Sequence, residues 1–167
     1  MNGFERLSAC AGEWAGRNRV QPSVGEPADE AASRLTVTPI LNGTFLRLDQ
    51  EWSWQGEPQQ GSMWIGYLPQ EQRATIHWID TWHNGRRCME LAGQFNADGK
   101  LVAHGHFPVD AGPEWGWRIE IQSDGHGELS INMFCINPAN AQEEGWVWSS
   151  FTRGIVGSPQ GDLSWRG

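Results

Sequence analysis

The sequence predicts an all-β domain. Ten antiparallel strands run up and down and close into a barrel, after a short N-terminal helical turn. Three observations lead there. Turn-forming clusters recur at Gly56-Glu57-Pro58, Pro69-Gln70-Glu71, Asn84-Gly85, Asp98-Gly99, Asp110-Ala111-Gly112-Pro113, Asp124-Gly125 and Pro138-Ala139-Asn140. Their mean step of about 14 residues leaves strands of about ten once a short turn is removed. Between the turns, apolar and β-forming residues recur two apart, as in Ile76-His77-Trp78-Ile79-Asp80-Thr81-Trp82 and Trp115-Gly116-Trp117-Arg118-Ile119-Glu120-Ile121. No segment carries the helical period over an ordinary helix length.

The elements follow in order. Residues 4–9 fit one helical turn. Strands are expected at 11–20, 33–40, 44–55, 59–68, 73–82, 86–95, 101–107, 115–122, 128–136 and 145–153, with a loop over 21–31. Asn84-Gly85 is the strongest hairpin signal among the turns. Residues 1–153 make the domain, and the Gly-rich 154–167 reads as a C-terminal tail. A meander of this kind leaves two strand edges open unless it closes, and closure to a barrel removes both. The inside of a small barrel either fills with side chains or holds one ligand.

Composition sets the outer limits. A chain of 167 residues suits one domain and buries enough surface to need no disulfide or metal staple. Its net charge of −8 disfavours nucleic-acid partners and a polybasic membrane role. With 38% hydrophobic and 19% charged residues, the chain is not a disordered one. The N-terminus lacks a basic start and apolar run, and no stretch approaches the roughly 18 apolar residues of a membrane helix. Polar residues on both strand faces argue against an outer-membrane barrel. Cys10, Cys88 and Cys135 are odd in number and form no CxxC, as expected for reduced thiols in a cytoplasm.

Gly12-Glu13-Trp14 opens the first strand and Phe151-Thr152-Arg153 closes the last. In a closed barrel those strands are neighbours, so the guanidinium can stack on the indole and seal one end. Gly12, Trp14 and Arg153 are therefore structural candidates. This pairing resembles the signature of calycin barrels (lipocalins, fatty-acid-binding proteins and nitrobindin-like proteins). A longer set of segments resembles the bacterial domain-of-unknown-function 1579 family. It comprises Leu7 to Gly16, Pro39 to Leu46, Trp52-Ser53-Trp54-Gln55-Gly56, His77 to His83, Gly112 to Glu120, and Phe151-Thr152-Arg153. The resemblance implies a calycin-like fold and brings no established activity. Asn42 stands where that family more usually has Gly, and Asn tolerates the positive φ such a turn needs. Nitrobindin-like barrels hold haem through a His near the C-terminus; here no His follows His126, so no cofactor is expected.

Eleven Trp against one Tyr is the unusual figure in the composition. On the strand expected at 73–82, Trp78, Asp80 and Trp82 share one face. A carboxylate between indoles is costly when buried without a partner. In one reading Asp80 is paired with Arg118 or Arg47 and the indoles are core. In the other the face lines a cavity. Trp52, Trp54, Trp64, Trp78, Trp82 and Trp117 then form apolar walls, and Asp80, His83 and Arg118 supply polar contacts to a small, partly apolar or planar ligand. Two rival functions stay open. One is an enzyme using Asp80 with His83 or His77 as acid and base. The other is an interaction module that forms a homodimer through a Trp-rich surface. No nucleophile elbow, phosphate loop or complete metal set is present. His104 and His106 are weak metal candidates that lack an evident third ligand.

Overall fold

A computed structural model describes residues 1–153, and the expected tail at 154–167 lies outside the described residues. The strands form where alternation and turns place them, and the sheet closes. A helix α1 (Gly3–Ser8) precedes β1 (Gly12–Val20), β2 (Asp29–Ile40), β3 (Phe45–Trp54), β4 (Glu57–Leu68) and β5 (Arg73–Asp80). Then come β6 (Met89–Phe95), β7 (Leu101–Phe107), β8 (Trp115–Ser123), β9 (Glu128–Ile136) and β10 (Glu143–Arg153). Each strand pairs antiparallel with its sequence neighbours, and β1 pairs with β10 from Trp14↔Arg153 to Val20↔Val147. Chain ends thus meet as barrel closure requires.

Several boundaries differ from expectation, for identifiable reasons. β2 begins at Asp29 because it pairs with β1 as far as Val20↔Asp29, helped by the Arg17–Glu30 ion pair across the two strands. β5 ends at Asp80 and β6 starts only at Met89, so Trp82 lies in a loop over 81–88. There the Asp80 side chain accepts hydrogen bonds from the His83 and Asn84 amides, which turns the chain out of the ladder. Asn84-Gly85 accordingly sits inside an eight-residue loop and not in a two-residue hairpin. A bulge between Gly145 and Val147 interrupts β10 and lets Trp146 pack on the core. The turn at Leu41-Asn42 has φ of 51° and 58°, so Asn42 takes the left-handed conformation that its side chain tolerates.

Alternation puts one row of every strand inside. Leu35, Leu48, Ile65, Ile76, Ile119 and Ile131 are among the fully buried side chains. The strand directions place α1 and the loops 41–44, 69–72, 96–100 and 124–127 at one end. The loops 21–28, 55–56, 81–88, 108–114 and 137–142 lie at the other, here termed the mouth.

The helix end is sealed. Asn2 caps α1 in a reciprocal capping box with Glu5, and Leu7 is buried. The Trp14 indole N–H donates to the Cys10 carbonyl at 2.8 Å. The Arg153 guanidinium lies 4.8 Å from the Trp14 ring centroid and donates to the Ala9 and Ala11 carbonyls, each at 3.2 Å. Gly12 adopts φ of 125°, which only glycine takes without strain, and this sets the entry of β1 above the helix. No helix among the described residues is long and apolar enough to cross a membrane.

Candidate binding site at the barrel mouth

The mouth gathers aromatic side chains because five strands place one there. Trp52 and Trp54 come from the end of β3, Trp78 from β5, Phe107 from β7, Trp115 and Trp117 from the start of β8, and Trp146 from the β10 bulge. Loop 81–88 then folds two more rings among them. The His83 ring centroid lies 5.9 Å from Trp52, 5.1 Å from Trp78, 4.6 Å from Trp82 and 5.7 Å from Trp117. Trp82 also packs on Trp52 and Trp54, at 5.9 and 5.1 Å. An imidazole thus sits in a box of indoles.

Asp80 holds that imidazole. Its side chain is 3% exposed and that of His83 is 9% exposed. The Asp80 Oδ2 pairs with His83 Nδ1, while Oδ1 accepts the amides of His83 at 2.8 Å and Asn84 at 2.7 Å. The carboxylate is thereby satisfied entirely by loop 81–88, not by Arg118 or Arg47. Arg47 pairs with Asp49, and Arg118 pairs with Glu120 and Glu143 and lies over the Phe134 ring. With Nδ1 committed to Asp80, Nε2 is the free edge of the imidazole. That atom and the Trp117 indole nitrogen are buried and have no hydrogen-bond partner among the described residues. Leaving such groups unsatisfied costs on the order of 1–3 kcal/mol each, so native structures rarely do it without a reason.

A narrow cavity of about 20 Å³ runs beside His83, bordered by Asp80, Trp52, Trp78, Asn18 and Gln50. That is room for about one water. Among the described residues this interior space falls far short of the expected ligand-sized hollow. Inward-facing aliphatic side chains fill the middle of the barrel, and Trp82 and His83 fill its mouth.

The structure brings Trp52, Trp54, Trp78, Asp80, Trp82, His83 and Trp117 together. It does not bring in Trp64, which is 44% exposed on the outer face, or Arg118, whose strand neighbour Trp117 takes the inward position. His77 also faces outward, against Glu90. His104 and His106 are exposed on β7, and no group of three potential metal ligands exists among the described residues.

Residues 3–153 match the family described as protein of unknown function, DUF1579. The chain belongs to that family. No curated protein matches it. Among solved structures it is similar to Rv2717c from M. tuberculosis, with 13% identity and a TM-score of 0.65 over 93% of this chain and 99% of that one. It is also similar to the S-type phycobiliprotein lyase CPES from Guillardia theta, with 13% identity and a TM-score of 0.60 over 93% of this chain and 94% of the lyase. These likenesses show a shared fold.

One feature of the DUF1579 barrel had no signal in the sequence pattern. Asn18, Ser33 and Ser149 are buried polar residues on three adjoining strands, and Gln50 joins them from β3. Ser149 Oγ donates to Asn18 Oδ1 at 2.6 Å, and the Gln50 amide lies within 3.2–3.3 Å of Ser33, Ser149 and Asn18. Asn18 and Gln50 line the same small cavity as Asp80 and His83. Single polar residues at inward positions of β-strands look like ordinary breaks in alternation, and only closure of the sheet reveals that four of them meet.

Proposed function

We propose that this protein binds a small, partly apolar, planar molecule at the barrel mouth. Trp52, Trp54, Trp78 and Trp117 are its walls, and Asp80 is its polar contact once His83 gives way. One observation carries the reading. The mouth buries the His83 Nε2 and the Trp117 indole N–H without partners among the described residues, in a box of aromatic rings beside a mostly apolar cavity that Asn18, Gln50 and Asp80 also line. A pocket of mostly apolar walls with a few convergent polar groups is the usual form of a small-molecule site. Entry requires Trp82 and His83 to yield, since the space beside them admits about one water. A barrel of this fold serves a phycobiliprotein lyase in Guillardia theta; here the argument rests on the residues of the mouth. The three free cysteines support a reducing compartment such as the cytoplasm.

A panel of flat aromatic compounds, titrated while Trp fluorescence is followed, tests the proposal. Saturable changes in wild type that vanish in Trp117→Ala support it. An unresponsive spectrum across the panel, with folded protein, removes it.

A second reading is favoured by the Asp80–His83 pair. A carboxylate on Nδ1 that leaves Nε2 free is the arrangement of a general base. Under this reading Asp80→Asn loses turnover of a bound substrate and keeps its affinity. Loss of affinity with turnover per bound substrate unchanged contradicts it.

A further inference from the structure

We propose that the molecule taken by the mouth is a planar cation with two N–H donors on one edge, such as an amidinium, a guanidinium or a protonated amino-heterocycle, and that His83 occupies its place. The proposal rests on the reading of the mouth as a binding site and names the ligand class for it.

The Asp80 carboxylate ends β5 inside the mouth, and its three hydrogen-bond partners all come from the loop that follows: His83 Nδ1, the His83 amide and the Asn84 amide. Among the described residues no side chain from another strand hydrogen-bonds or ion-pairs with it. A buried carboxylate tied down by a single loop is stable only while the loop stays. If residues 83 and 84 swing out, both carboxylate oxygens lose their donors together. What restores them is a group with two parallel N–H bonds, because a carboxylate accepts such a fork on both oxygens at once.

The walls select for the same chemistry. Trp52, Trp78 and Trp117 belong to strands and remain when the loop moves, whereas Trp82 belongs to the loop and leaves with His83. Indole faces attract flat cations, more strongly when water is excluded. The imidazole shows what the box accepts: a planar ring that gives an N–H to Asp80 and lies within 6 Å of three strand-borne indoles. It fits imperfectly, since its second nitrogen has no partner among the described residues. A larger cation that displaces His83 can extend past the place of that nitrogen into the small cavity that Asn18 and Gln50 also line.

The loop is held at its start and exposed beyond residue 84. Thr81 is pinned to β4, its amide donating to the Gln60 carbonyl at 2.9 Å and its hydroxyl to the Gln59 side chain at 2.7 Å. Beyond it, Gly85, Arg86, Arg87 and Cys88 are exposed. An open groove of about 640 Å³ flanks their outer side. The net charge of −8 also draws cations toward the protein.

The test compares three flat probes of nearly one shape on the full chain, by isothermal calorimetry and Trp fluorescence: benzamidine, benzamide and benzoate. Benzamidine is expected to bind at least tenfold tighter than neutral benzamide, with benzoate undetectable. His83→Ala removes the internal occupant and raises benzamidine affinity. Asp80→Asn lowers it at least tenfold, and circular dichroism reports whether each variant is folded. If Asp80→Asn fails to fold, the comparison of probes on wild type decides alone. Equal affinity for benzamidine and benzamide overturns the ligand class and leaves the mouth as a binding site. Weaker benzamidine binding in folded His83→Ala overturns the role of His83 as a placeholder. Failure of all three probes and of the wider planar panel, on both wild type and His83→Ala, overturns the reading of the mouth itself.

Discussion

The two ends of the barrel use the same residue types and treat them differently. At the helix end, the Trp14 indole N–H is bonded to Cys10, and Arg153 bonds two carbonyls while it covers the ring. At the mouth, the Trp117 indole N–H and His83 Nε2 are just as buried and have no partner among the described residues. Satisfied polar groups in a packed plug are the mark of a structural element. Unsatisfied ones among aromatic walls are stored cost, and such cost persists where function needs it. Abundant tryptophan therefore does not identify a site; the bonded indole N–H of Trp14 and the unbonded one of Trp117 separate the plug from the mouth.

The comparison yields a graded set of expectations. The largest concerns the plug. Trp14→Ala is expected to lower unfolding free energy by about 3–5 kcal/mol, the cost of deleting a large buried aromatic. Chemical denaturation reads this directly, and a change under 1 kcal/mol would mean that the helix end does not hold the barrel shut. Asp80→Asn comes next, at about 1–3 kcal/mol. The amide keeps an acceptor for the loop amides but loses the charge that holds His83. Loop 81–88 should then show faster amide hydrogen exchange, while residues 9–14 stay protected. Equal effects at both ends would erase the distinction. Arg153→Met should cost only about 1 kcal/mol, since the guanidinium acts at an exposed position. The same denaturation curves would show it.

The cysteines give the smallest test, and one with a pH dependence. Burial, with a lesser contribution from Glu144, pushes the Cys135 thiol up to about 11 from its ordinary 9.0. The folded chain thus keeps that proton where the unfolded chain releases it. Between those two pH values, ionisation favours the unfolded state, so this thiol's contribution lowers stability as pH rises. At neutral pH, Cys88 is exposed and should react with iodoacetamide, whereas buried Cys10 and Cys135 should resist until the protein unfolds. Rapid labelling of Cys135 at neutral pH would show that the sheet near the mouth opens more readily than its packing implies.

Much of this architecture was legible in the sequence. Turn spacing and alternation give ten strands, and the Trp14–Arg153 pairing places the first and last side by side, as the register confirms. Of the proposed site, Trp52, Trp54, Trp78, Asp80, Trp82, His83 and Trp117 do meet. Trp64 and Arg118 fall on the outside because each strand's inward row is set by its neighbours, and sequences apolar on both faces do not reveal that phase. The alternating pattern carries the strand through Trp82, since local pattern does not register that the Asp80 side chain bends the chain two residues earlier. The Asn18–Gln50–Ser33–Ser149 cluster was invisible for a related reason. Its members lie up to 131 residues apart, and only the closed sheet joins them.

The central claim is that the mouth, and not the plug, is the end that meets a ligand. The indole N–H resonances of a ¹⁵N-labelled sample, assigned by single Trp→Phe substitutions, report on both ends in one spectrum. During titration with benzamidine and with benzamide, the Trp52, Trp78 and Trp117 signals should move in a saturable manner and the Trp14 signal should stay fixed. A spectrum in which the Trp14 signal shifts, or in which the mouth signals remain still with both compounds, contradicts the account.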